Sequence, residues 1–120
     1  MANAFLKIRD IVIDVEIADT LRKKSRGLSG RESFASGHGM LFPFRFSGFH
    51  PFWMKDMKFS IDIIWIGKDR KVVDITKNAA PKSFPRPFVS RRPARYALEI
   101  NAGLAARCGI AIGDEVRFLL

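Results

Sequence analysis

Ile61-Asp-Ile-Ile-Trp-Ile-Gly-Lys-Asp-Arg-Lys-Val-Val-Asp-Ile-Thr76 is the stretch that decides the fold. An apolar, β-branched run of strand length meets the turn residues Gly67-Lys-Asp-Arg70, and a second β-branched run, Lys71-Val-Val-Asp-Ile-Thr76, leads away. The pattern predicts a β-hairpin over 61–76. Asp62 shares its parity with Ile64 and Ile66, so it belongs to the same strand face as those two side chains. A carboxylate on an apolar face is either paired within the fold, here with Lys55, Arg26 or Arg95, or stands at the mouth of a pocket.

Working outward, Ile11, Ile13, Val15 and Ile17 alternate with polar positions, the period of a half-buried strand, and residues 5–9 can pair beside it. Asp19-Thr20 can cap a short helix over 21–26 that stops at Gly27. Met40-Leu-Phe-Pro-Phe44 reads as a strand in which Pro43 demands an edge or a bulge. Residues 51–57 are apolar and read with 59–66 as strand, which places Phe52 and Trp53 in the core, with a recognition platform as the alternative. Four prolines between 79 and 93 forbid regular pairing and predict a long surface loop, the kind of segment that often carries function. Tyr96, Leu98 and Ile100 form another strand, with Arg95 and Glu99 on its opposite face. A short helix over 102–108 ends at Gly109, and a last strand over 115–120 closes the chain. The sum is a mainly β single domain over 1–120, an antiparallel β sandwich or barrel with two short helices.

At 120 residues the chain is one domain's worth of protein, and 48% hydrophobic residues with eleven Phe exclude a disordered tail. The lone Cys108 excludes an intramolecular disulfide and a cysteine zinc framework. An N-terminus without an apolar leader, and no apolar run near the ~20 residues of a membrane span, predict a soluble cytoplasmic protein. The formal charge of +9 biases surface partners toward anions. It concentrates in two segments, 22–31 and 77–95. In the second, Lys and Arg interleave with Phe84, Phe88 and Tyr96, a mixture that suits nucleic acid, although neither an RNA-binding signature nor a phosphate-binding glycine loop accompanies it.

Val15-Glu-Ile-Ala-Asp-Thr20, Arg26-Gly-Leu28, Gly39-Met-Leu-Phe42, Phe52-Trp-Met-Lys55, Ile61-Asp-Ile63, Arg92-Pro-Ala-Arg-Tyr96 with Leu98-Glu99, and Gly113-Asp114 follow one another in an order that resembles the family called domain of unknown function 192. The resemblance covers about residues 12–118. It implies a compact β sandwich of jelly-roll type and no established reaction. Many relatives carry an export signal and two cysteines in the Pro-rich loop; residues 81–92 hold no Cys here, so a role that depends on a loop disulfide does not transfer. Relatives also tend to read Asn-Thr after the Met-Lys pair and Pro before the Leu-Asp-Ile, where this chain has Asp56-Met57 and Ser60.

Arg26, Lys55, Asp62, Arg95 and Glu99 are therefore the candidate site, expected to line a cleft for a small polar or anionic ligand. An enzyme would need a carboxylate of shifted pKa facing that cleft, with Asp62 or Glu99 as general acid or base. Nucleic-acid binding by the two basic segments is the other alternative, and a partner docked on the Pro-rich loop is a third. No cofactor or metal is assigned. His38 and His50 lie in loops without Asp or Glu at ligand spacing, and the Gly-x-Ser-x-Gly elbow of a serine nucleophile is absent.

Overall fold

A computed structural model describes residues 4–19 and 27–119. The strands are β1 (Ala4–Ile8), β2 (Ile11–Ile17), β3 (His38–Gly48), β4 (Ile61–Ile66), β5 (Val72–Ala79), β6 (Ala94–Asn101) and β7 (Val116–Leu119). Among the described residues one helix, α1 (Leu104–Arg107), follows β6, and a 3-10 turn (Pro81–Ser83) follows β5. The helix expected over 21–26 lies outside the described residues.

All seven strands form one mixed sheet in the order β5-β4-β6-β3-β2-β1-β7. The predicted hairpin is β4–β5, and β1 pairs antiparallel with β2 as its neighbour in sequence. The one departure from antiparallel order is β2 against β3, which run parallel from Asp14↔His38 to Ile17↔Leu41. The chain between these strands spans 18–37, long enough to carry it back to the starting end of β2, as a parallel pair requires. Pro43 sits inside β3, yet the β2 partner has ended at Leu41, and the register with β6 shifts directly after it. The missing N–H therefore falls where little ladder depends on it.

The sheet curls until its two edges meet. The Val72 N–H donates to the Asp114 carbonyl and the Val116 N–H to the Arg70 carbonyl, each at 2.9 Å or less. This closure makes an inside and an outside. Inside lie Leu6, Ile8, Ile13, Val15, Leu41, Ile64, Ile66, Leu98 and Ile100, with Ala105 of α1 plugging one end. Side chains of the other parity, Met40, Phe42, Ile61, Ile63, Trp65 and Ala97, point outward from β3, β4 and β6. They are buried too, beneath Leu28, Met54 and Met57 from the connecting segments. The central strands are thus apolar on both faces, which is why 61–66 shows a continuous run instead of alternation.

Residues 51–57 depart from the strand reading. Only Phe52 bridges, to Phe88, and the rest is a turn in which the Met57 N–H donates to the Met54 carbonyl. That bridge pins the Pro-rich loop, and a second anchor is the buried Asp74. Its carboxylate accepts the backbone N–H of Arg91 at 2.8 Å and the Arg91 guanidinium at 2.6 Å. Burial pushes the Asp74 carboxyl up, but the hydrogen bonds from Arg91 and the Ile75 N–H outweigh it and hold its pKa below 3.8.

Candidate functional site

Asp62 faces inward beside Ile64 and Ile66, as its parity requires, and is 1% exposed. It makes no ion pair with Lys55 or Arg95. Its Oδ1 accepts the Asn78 N–H at 2.9 Å, and its Oδ2 accepts the N–H groups of Gly103 and Ala105 at 3.1 Å each. The carboxylate ties the end of β5 and the entry to α1 onto β4. Oxygens so occupied are poorly placed to move a proton for a bound molecule.

Glu99 lies on the other side of the sheet. In β6 it stands opposite Met40 of β3 and Ile63 of β4, so its side chain projects into the outer core. The two carboxylates cannot line one cleft, because a sheet of fully buried strands separates them. The polar groove expected for Glu99 is instead apolar packing: the residue is 7% exposed and its Oε1 is buried without a hydrogen-bond partner among the described residues. Desolvation raises its pKa from 4.5 to about 8, so the group is a neutral acid at pH 7. Gly27, at φ +53°, forms the roof. A Cβ there would lie 3.4 Å from Phe42 Cζ and 3.8 Å from Glu99 Oε1.

Arg95 shares the Glu99 parity but reaches a half-exposed position, with its guanidinium 5.6 Å from the Tyr96 ring centroid. Arg26 lies outside the described residues. Of the basic segment 22–31, the described Arg31 is committed to Glu16 through two hydrogen bonds of 2.7 and 3.0 Å, which raise its pKa.

Lys55 lines a groove of about 840 Å³ with Ser29, Gly30, Trp53, Asp56, Met57 and Lys58. Two backbone-directed bonds hold its walls together: Ser29 Oγ donates to the Lys55 carbonyl at 2.8 Å, and the Gly30 N–H donates to the Asp56 carbonyl at 2.9 Å. Lys58 is paired with Glu32 at 2.7 Å. Lys55 makes no ion pair among the described residues, and its ammonium stands 5.9 Å from the Trp53 ring centroid. Trp53 is 54% exposed, contrary to its expected place in the core. Phe52, its neighbour, does pack there, edge-on to Phe42 and Trp65. The signal that separates them is turn chemistry: Pro51 and Asp56, the latter at φ +58°, bracket a segment too irregular to bury successive side chains.

The remaining polar candidates are engaged locally. His50 stacks on Phe44 at 3.8 Å between ring centroids, and its Nε2 lies 3.1 Å from the Phe46 carbonyl oxygen. Among the described residues no three His, Cys, Asp or Glu side chains come together as a metal site, and no helix is long and apolar enough to cross a membrane.

This curled sheet, with a sealed acid on its outer face, carries the ordered motifs of a known family, whose sequence profile, described as Uncharacterized ACR, COG1430, matches residues 4–118. The chain belongs to the DUF192 family. A UPF0127 protein of Pyrococcus abyssi is 34% identical over 110 residues, covering 88% of this chain and 86% of its own. Two crystal structures share the fold. One, "a putative transcription regulator" from Sinorhizobium meliloti, superposes with a TM-score of 0.91 at 32% identity over 98% of this chain and 94% of its own. The other, a protein of unknown function from Novosphingobium aromaticivorans, superposes at 0.88 with 34% identity over 97% of this chain and 84% of its own. DUF192 membership accounts for the architecture and brings no reaction with it.

Proposed function

We propose that this DUF192 protein binds a small anionic ligand in the groove between Ser29-Gly30 and the turn 53–58. The observation that carries the reading is Lys55, an exposed ammonium with no ion-pair partner among the described residues, standing 5.9 Å from the centroid of an exposed aromatic ring on the groove wall. An isolated surface lysine is usually a solvated charge, but here the backbone carrying it is tied down by Ser29. A ligand anion would meet a charge whose backbone is anchored and whose ammonium stands beside an aromatic ring. Asp56 on the same wall favours ligands that carry their charge at one end.

The enzyme reading is weaker. Asp62 is occupied by three N–H donors, and the Glu99 Oε1 is sealed from solvent. Binding is tested by titrating the protein with inorganic phosphate and ribose 5-phosphate while following backbone amide chemical shifts. Shifts that cluster at Ser29, Gly30 and residues 53–58, and that need at least tenfold more ligand in Lys55→Gln, are the expected result. Shifts elsewhere, or equal affinity in the variant, would reject the groove.

A further inference from the structure

We infer that the ligand of this groove carries a planar aromatic ring beside its anionic group, the chemistry of a nucleotide, whether free or as a unit of single-stranded nucleic acid; this rests on the anion-binding reading above. Past Trp53 the aromatic surface continues onto the Pro-rich loop. The Phe84 ring meets Trp53 edge-on, with centroids 5.0 Å apart, and is itself 41% exposed. Two exposed aromatic rings in contact form a platform that costs free energy in water unless something covers it. The backbone segments that carry the two rings are tied together. The Phe52–Phe88 bridge joins the two segments through N–H···O bonds of 2.8 and 2.6 Å, and the Ser83 hydroxyl donates to the Ala80 carbonyl just before Phe84.

The surrounding charge chooses among apolar occupants. Lys55 stands at the platform's edge, Lys82 is exposed on the 3-10 turn before Phe84, and the Arg86 guanidinium lies 5.6 Å from the Phe88 ring centroid. Between Asp74 and Glu99 the chain contains no acidic residue. A ring that stacks on Trp53 and a phosphate that meets Lys55 use both features at once, whereas a neutral aromatic or a bare anion uses one.

The chain supplies its own reporter. Trp65 is fully buried and donates its Nε1–H to Thr76, so quenching of tryptophan emission by a large polar solute reports Trp53. The experiment titrates the full chain with adenosine monophosphate, with a single-stranded thymine decamer, with ribose 5-phosphate and with anionic phospholipid vesicles. Quenching by the monophosphate or the decamer at concentrations at least tenfold below those at which ribose 5-phosphate binds is the expected result. Lys55→Gln should weaken it at least tenfold, and Phe84→Ala should weaken it with the fold unchanged by circular dichroism. The monophosphate alone would identify a free nucleotide; the decamer at much lower concentration, with affinity that falls steeply with salt, would identify a strand. Equal affinity for ribose 5-phosphate and the monophosphate would overturn the inference while leaving the anion groove intact. Quenching by vesicles alone would overturn it in favour of a membrane surface, and no response to any probe would overturn both.

Discussion

Replacing Glu99 by Gln should make this protein more stable at neutral and alkaline pH, by an amount set by where the carboxyl sits. The side chain is sealed between β3 and β4 with one oxygen unpartnered among the described residues, and its pKa stands at about 8 against 4.5 for an exposed glutamate. Below pH 4.5 both the native and the unfolded chain hold the proton, so the group leaves stability unchanged there. Between pH 4.5 and about 8 the unfolded chain releases a proton that the native state keeps. Stability then falls by about 1.4 kcal/mol per pH unit, reaching a total near 5 kcal/mol before it levels off above the native value. Glutamine has nearly the same shape and does not ionise. At pH 5 the variant should match the parent within about 1 kcal/mol, and by pH 7.5 it should exceed it by about 4 kcal/mol. Urea unfolding of both proteins at half-unit steps from pH 5 to 8.5, at constant ionic strength, measures the difference directly. Two parallel stability curves would refute the reasoning, since they would mean that the carboxyl ionises in the native protein as easily as in the unfolded chain.

Asp62→Asn should behave oppositely, because it places an amide N–H₂ against N–H donors that now share a carboxylate. A loss of about 3 kcal/mol follows from stranding one or two buried donors. For a chain of this size that is a drop of roughly 10 °C in Tm, and an unchanged melting temperature would sink the structural role. Asp74→Asn should release the Pro-rich loop, seen as faster hydrogen exchange at the Arg91 amide; equal protection in the two proteins would contradict it. Because the native Asp74 pKa lies below 3.8, its contribution to wild-type stability is present above pH 4 and is lost as pH falls through the native value. An acid limb that persists unchanged in Asp74→Asn would assign that loss to other carboxylates.

Most of the strands are legible in the sequence, since alternation at 11–17 and 95–100 and the β-branched runs around Gly67 are local patterns with local causes. Asp62's face follows from the same counting. What occupies its oxygens does not, because Gly103 and Ala105 reach it only once β6 and α1 fold back over the end of β4. Glu99 shows the limit most sharply. Its parity opposite Leu98 and Ile100 is correct, yet that parity ordinarily means solvent, and here it means a second core. Period two reports which residues share a face and is silent on what covers it. Leu28, Met54 and Met57, far away in sequence and outside any strand, cover this one. Trp53 is the converse case, an aromatic residue left on the surface because its segment turns instead of pairing. Local patterns in the chain are enough for most of the strands, the family and the sign of the charge, but not for the irregular turn at 51–57. Which carboxylate is tied up, which is kept neutral and which cation faces an open groove depend on desolvation and on partners supplied by residues distant along the chain.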